Sequence, residues 1–196
     1  QMTDEMKKSY DDLELQLRLA HEAARSERSP ENLSRAARLT QACLGWPNSC
    51  FRSELIDGET VAPALDATQL FPKEQWLVDE TLSQRDRGRK VIVFCRQTGT
   101  RDITDHLKTI LVKAGLRVAV LKASVATDKR EAWLRNAAQN ADVLVVNPKI
   151  VDTGLDLVDF QSVIWYEAEY SLYVLMQATK RIYRVGQVND VEIYFA

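Results

Sequence analysis

Glycine and proline are scarce in this 196-residue chain, at seven and five residues, which excludes collagen-like and low-complexity sequences. No apolar run approaches the ~20 residues of a membrane-crossing helix, and no signal or transit peptide is recognisable. No membrane partner is therefore expected. Histidine occurs twice, as His21 and His106, and both are expected on solvated helix faces. The three cysteines, Cys43, Cys50 and Cys95, are odd in number and lack the short paired spacing of a zinc site. No metal site and no Cys–His nucleophile are expected. A reducing, intracellular compartment is the simplest reading: cytoplasm or nucleoid in a bacterium, nucleus in a eukaryote. Charge of one sign is also missing, because 26 basic and 28 acidic residues leave a net −2. A polyanionic partner must then meet a local patch. No Gly-x-x-x-x-Gly-Lys-Ser/Thr loop and no Gly-x-Gly-x-x-Gly after a strand is present. The Asp79-Glu80 pair falls within a helical pattern and reads as a solvated helix face. Gln1 before Met2 is not a natural translation start, so the sequence is expected to be a piece of a longer chain.

What is present is ordinary for a water-soluble globular protein, with 45% hydrophobic and 28% charged residues. Residues 1 to about 46 carry helix signals alone. Leu13, Leu17 and Ala20 recur at helical spacing, and Ser29-Pro30-Glu31 gives a second helix a capped start. Two antiparallel helices fit. From about 45 to 72, Gly45, Pro47, Gly58, Pro63 and Pro72 interrupt a stretch of little periodicity, read as a connector or loosely held loop. This divides the chain into a helical segment with connector, 1–72, and a domain, 73–196. Residues 1–72 hold 8 basic against 12 acidic groups, and residues 73–196 hold 18 against 16.

The second part alternates short apolar runs with amphipathic stretches, the pattern of parallel strands joined by crossover helices. Five strands are predicted at 91–94, 118–121, 143–146, 163–166 and 191–195. Helices are predicted near 73–87, 101–114, 128–139 and 171–184. Near-continuous apolar strands imply an open α/β sheet covered on both faces. In such a sheet the ligand lies beyond the carboxyl ends of the strands. The segments there are Cys95-Arg96-Gln97-Thr98-Gly99-Thr100, Lys122-Ala123-Ser124, Asn147 to Leu157, and Glu167 onward to Gln187. The first two offer hydroxyls, cations and backbone N–H groups suited to phosphate oxygens. Arg181 and Arg184 are three residues apart with Gln177 one turn earlier, so on a continuous helix both guanidinium groups share one face. They either grip one polyanion or complement the helix macrodipole.

The string VIWYEAEYSLYVLMQATKRIYRVGQ, Val163 to Gln187, resembles the region of motif VI in Swi/Snf-type members of helicase superfamily two. Lys149 to Leu157 resembles motif V, Val91 to Asp102 resembles motif IV, and all three stand in family order. Leu33 to Pro47 is similar to the helical stretch before the second RecA-like lobe of that family. The resemblance implies a carboxyl-terminal, RecA-like lobe with an open, mainly parallel sheet, helices on both faces, and an α-helical segment before it.

Such enzymes hold ATP and Mg2+ between two lobes and nucleic acid across both. The resemblance implies that Arg181 and Arg184 are arginine fingers, that Gln177 orders them or contacts phosphate, and that Asp156 and Gly154 lie near the nucleotide ribose. Turn formation after Gly154 is an equal reading of Asp156. Arg96, Thr98, Ser124 and Thr153 are implied contacts to DNA, double-stranded by the Swi/Snf likeness, with RNA the other possibility. Strand-end capping is the alternative for each. The partner lobe, the phosphate loop and the Mg2+ carboxylate are outside this sequence, so these 196 residues alone are expected to be inactive. A RecA-like binding or regulatory module without catalysis is the competing function. Three departures stand out: Asp152-Thr153 replaces a small glycine-rich pair, Lys180 a common glycine, and Tyr183 a common histidine. The Asp152 carboxylate would repel phosphate, so it is expected to face away from the track or to mark a specialised branch.

Overall fold

The structure, a computed structural model, describes residues 2–99, 101–151, 154–167 and 169–196. The chain forms two compact units, Gln1–Pro72 and Lys73–Ala196.

The first unit begins with α1 (Asp4–Ser26) and α2 (Pro30–Gly45). Thr3 and Ser29 cap them, each hydroxyl accepting from the backbone N–H three residues on, at 3.2 Å in both, which satisfies one orphan donor per helix. The 45–72 stretch is more ordered than its composition implies. It contains a turn of 3₁₀ helix at Trp46–Asn48 and an antiparallel hairpin of β1 (Glu54–Ile56) and β2 (Glu59–Ala62). The reason is local. Asp57 and Gly58 both have positive φ, 55° and 82°, the two-residue turn whose twist matches paired strands. Arg38 of α2 grips the Asp57 carboxylate through two hydrogen bonds, at 2.5 and 2.8 Å. The buried Trp46 indole donates to the Pro63 carbonyl at 3.2 Å.

The second unit is a five-stranded, wholly parallel sheet in the order β4-β5-β3-β6-β7. The strands are β3 (Val91–Phe94), β4 (Val118–Leu121), β5 (Val143–Val146), β6 (Ser162–Trp165) and β7 (Glu192–Phe195). Between them run α3 (Pro72–Asp86, before β3), α4 (Thr104–Lys113), α5 (Arg130–Asn140), the single turn α6 (Pro148–Val151) and α7 (Leu172–Lys180). The three central strands are buried on both faces, whereas β4 is largely half-buried and β7 alternates half-buried with exposed residues. Full coverage thus applies to the centre of the sheet and not to its edges, which have a strand on one side only.

Alternate strand residues divide the core. Ile92, Phe94, Leu144, Val146, Val163 and Trp165 meet residues of α5, α6 and α7 on one face. On that face the Phe94 and Trp165 rings sit 4.5 Å apart, within the range of favourable aromatic pairing. Toward the other face, α4 packs on β4 and β5, and α3 reaches β6 and β7 through Gln84. The Gln84 Oε1 accepts from the Ser162 hydroxyl at 2.7 Å, and its amide donates to Glu192 and Tyr194 at 3.0 Å each. The helix predicted over 171–184 stops at Lys180. A bond from the Tyr183 N–H to the Thr179 carbonyl, 3.3 Å, carries one further turn, and the chain then bends through Gly186. His106 also departs from expectation. It is not on a solvated face: its side chain is 14% exposed, and Nε2 lies 2.6 Å from Oε1 of buried Glu74.

Candidate functional site

β3 occupies the centre of the sheet: the chain leaves it toward β4 and β5 on one side, then crosses to β6 and β7 on the other. Open parallel sheets bind ligands at such a reversal, beyond the carboxyl ends. The residues emerging there are Cys95 to Thr98 from β3, Asn147 from β5, and Tyr166 and Glu167 from β6.

The loop after β3 is held by its neighbours. Asn147 donates its amide to the Arg96 carbonyl at 2.8 Å and to the Thr98 hydroxyl oxygen at 3.1 Å. Its own Oδ1 accepts from the Lys149 N–H at 2.9 Å. Oε2 of Glu167 accepts from the Gln97 N–H at 2.8 Å. The Arg96 guanidinium lies 4.9 Å over the Tyr170 ring. Burial pushes the Glu167 carboxyl above the usual carboxylate range, against the opposing pull of the Gln97 and Arg96 N–H groups and of Lys73. Burial also lowers the Lys73 ammonium, which sits 4.6 Å over the Tyr166 ring. Cys95, fully buried beside these groups, is a thiol pushed well up by desolvation, the opposite of a reactive thiolate.

A second cluster joins the segment after α6 to the chain after α7. The Leu157 N–H donates to the Arg181 carbonyl at 3.1 Å. Asp156 and Arg184 form an ion pair, with both side chains substantially exposed. The Gln187 amide donates to the carbonyls of Val158 and Phe160 at 3.0 and 3.2 Å. Gly154 has φ +95°, a conformation that side chains resist. Gly154 and Asp156 border a hollow of about 270 Å³ shared with Glu131 and Arg135 of α5.

The structure therefore brings Arg96 and Thr98 into one loop, and Asp156 and Arg184 into one pair. Gln177 is half-buried on α7, and Arg181 caps that helix and is half-buried. Arg184 lies beyond the helix, which stops at Lys180 with Arg181 as its cap, so a common helical face does not relate the two arginines. Ser124 is exposed after edge strand β4, which β5 separates from β3. Asp152 and Thr153 lie outside the described residues. Asn147, Glu167, Tyr170 and Gln187 fall within the strand-end segments singled out in the sequence, but none of them carried an expected role of its own. Their signal was positional: polar residues directly after buried strands, and a glutamine closing the Arg-x-x-Arg-x-Gly-Gln string. Among the described residues no group of three or more His, Cys, Asp or Glu side chains is placed to hold a metal ion.

Comparison with known proteins places this geometry. Residues 72–186 match the family model of the helicase conserved C-terminal domain. The bifunctional helicase and thymine dioxygenase JBP2 of Leishmania major is 29% identical over 143 residues, 72% of this chain and 12% of that protein. The ATP-dependent DNA helicase DDM1 of Arabidopsis thaliana is 22% identical over 206 residues, 98% of this chain and 26% of that protein. The chain thus spans between about a tenth and a quarter of the length of these curated relatives. The crystal structure of the C-terminal part of the Fun30 ATPase domain superposes with a TM-score of 0.70 at 17% identity, covering 100% of this chain and 81% of that one. The chain belongs to the family of helicase conserved C-terminal domains, as the RecA-like carboxyl-terminal lobe of a superfamily-two helicase.

Proposed function

We propose that this lobe is half of an ATP-dependent double-stranded DNA translocase motor, presenting Arg181 and Arg184 to ATP held by an amino-terminal lobe and Arg96, Thr98, Ser124 and Thr153 to the DNA backbone. The observation that carries the reading is the junction of the segments around Asp156 and Arg184. The Leu157–Arg181 bond and the two Gln187 bonds tie those segments together, which holds the arginine-bearing loop beside the segment that carries Asp156.

The donor set fits a polyphosphate. Arg184 is exposed and already engages a carboxylate, and a phosphate oxygen pair offers its fork the same planar acceptor geometry. Bound ATP with Mg2+ would supply the γ-phosphoryl group, which passes to water with ADP as the leaving group. Arg184 and Arg181 add positive charge where negative charge develops, a contribution of roughly 10³–10⁵ in rate for arginine fingers. Gln177, on the half-buried side of α7 four residues before Arg181, supports the arginine loop or reaches a phosphate oxygen. Asp156 exchanges its Arg184 partner for a ribose hydroxyl, which donates to a carboxylate. On the DNA side, hydroxyl and guanidinium contacts to phosphates give affinity without base readout, as a translocating motor requires.

The test is DNA-stimulated ATP hydrolysis by the full-length parent. Arg181→Ala and Arg184→Ala are each expected to abolish turnover while nucleotide binding persists; turnover retained in both removes the finger assignment. The 196-residue chain by itself is expected to show no ATPase activity and weak, salt-sensitive DNA binding. Strong hydrolysis by these residues alone contradicts the half-motor reading, and a parent lacking a phosphate loop favours the non-catalytic binding module.

A further inference from the structure

We propose that Asn147, Glu167 and Tyr170 are positioning residues, a three-point clamp from three separate segments that fixes Arg96 and Thr98 in the geometry that engages phosphates of a nucleic-acid backbone. The proposal rests on the reading of Arg96 and Thr98 as backbone contacts.

Cost and chemistry both point this way. Asn147 and Glu167 are only 9% and 4% exposed, and burying polar groups is unfavourable unless each is hydrogen-bonded. Both groups direct those bonds at residues 96–98 of the loop after β3. The Asn147 amide is oriented in turn: its oxygen is occupied by the Lys149 N–H, which leaves the NH2 group directed at Arg96 and Thr98. By donating to Thr98 Oγ1, it fills an acceptor position on that oxygen, so the hydroxyl proton of exposed Thr98 is directed to another acceptor. A phosphate oxygen is such an acceptor. Glu167 removes the Gln97 N–H from competition for the same anion. Tyr170, 62% exposed, presents its ring face to the Arg96 guanidinium, whose N–H donors lie in the guanidinium plane. The clamp thereby turns a flexible cation and a rotating hydroxyl into two donors of fixed direction, lowering the ordering cost of binding.

The experiment measures binding of the 196-residue chain to a mixed-sequence DNA duplex by fluorescence anisotropy across a KCl series, with thermal melting of every variant. Arg96→Ala tests the underlying reading and is expected to weaken binding and reduce the slope of log K against log salt by about 1. Asn147→Asp, which keeps the acceptor and loses the donor, is expected to weaken binding about tenfold and to reduce the slope as well. Tyr170→Leu is expected to weaken binding about two- to fivefold without altering the melting temperature, and Tyr170→Phe to restore it. Because Tyr170 is exposed, its variants remain informative if Asn147→Asp fails to fold. Amide hydrogen exchange at Gln97 in free Glu167→Gln is expected to accelerate, a readout independent of DNA. Wild-type affinity in Arg96→Ala overturns the reading and the clamp together. Weakened binding in Arg96→Ala with wild-type affinity and slope in Tyr170→Leu and folded Asn147→Asp overturns the clamp and leaves the reading standing.

Discussion

The loop after β3 and the loop after α7 emerge from the same lobe and are held in opposite ways. The first is fixed by buried polar side chains just after the strands on either side of β3, Asn147 after β5 and Glu167 after β6, with few surface apolar residues. The second is mostly exposed, with Tyr183, Val185 and Val188 in solvent, and it is tethered by Gln187, the Arg181 carbonyl and one surface ion pair. Surface ion pairs contribute about 0–1 kcal/mol, so the Asp156–Arg184 contact is readily exchanged. On the proposed reading, the difference matches two tasks. A track that holds a backbone gains from preorganised donors, whereas a catalytic cation that acts only in a closed state must be free to change partners.

The largest expected effect separates the loops by function. In the parent enzyme Arg184→Ala should lower kcat at least ~10³-fold, while Arg96→Ala should raise the DNA concentration for half-maximal stimulation and leave kcat at saturating DNA close to wild type. Equal effects on kcat would erase the distinction. Beneath both loops lies the shared platform. Trp165→Ala, which deletes a fully buried ring packed on Phe94, should cost ~3–5 kcal/mol in urea unfolding. A smaller change sharpens the account of the tether: Gln187→Ala removes three hydrogen bonds, the two to Val158 and Phe160 and one accepted from the Asn189 N–H, and should destabilise by about 1–3 kcal/mol. Faster amide exchange is then expected around Leu157 and Phe160, with Gln97 unaffected. Acceleration at all three would show that the loops are not independently held.

The smallest effect concerns β7, the edge strand that follows the arginine loop. The Arg87 guanidinium, with Tyr194 and Gln84, holds the Glu192 carboxyl down at about 2. A depressed carboxylate pKa adds stability that is complete above the ordinary value near 4.5 and is lost as pH falls toward 2. Glu192→Gln should flatten the melting temperature over that window and leave the pH dependence above 6 unchanged. Burial and the Glu192 hydrogen bond push the Tyr194 phenol up to about 12, so its contribution is present below pH 10 and fades as pH rises through 12.

Much of the fold was legible because its signals are local. The three apolar runs Val91–Phe94, Val118–Leu121 and Val143–Val146 are strands at the predicted residues. Ser29-Pro30 caps α2 as its chemistry dictates. The hairpin at 54–62 was missed although Asp57-Gly58 is its turn signature; scattered prolines and glycines concealed it. The candidate site was less legible. Arg181 and Arg184 look coplanar at helical spacing, yet the helix ends at Lys180, because periodicity marks where a helix is possible and not where its last turn unwinds. Asn147, Glu167 and Gln187 resemble ordinary polar residues in sequence; only their partners, 27 to 70 positions away, give them a role.

The amino-acid sequence by itself determined the parallel α/β character of residues 73–196, the helical start, and membership of the helicase family, since apolar periodicity, capping residues and the Arg-x-x-Arg-x-Gly-Gln string are properties of adjacent residues. Tertiary structure alone decided the strand order β4-β5-β3-β6-β7, and with it which loops meet. Parallel strands pair through crossovers whose partners are not encoded by local propensity. That order sets β5 and β6 on either side of β3, and so places Asn147 and Glu167 against Arg96, Gln97 and Thr98.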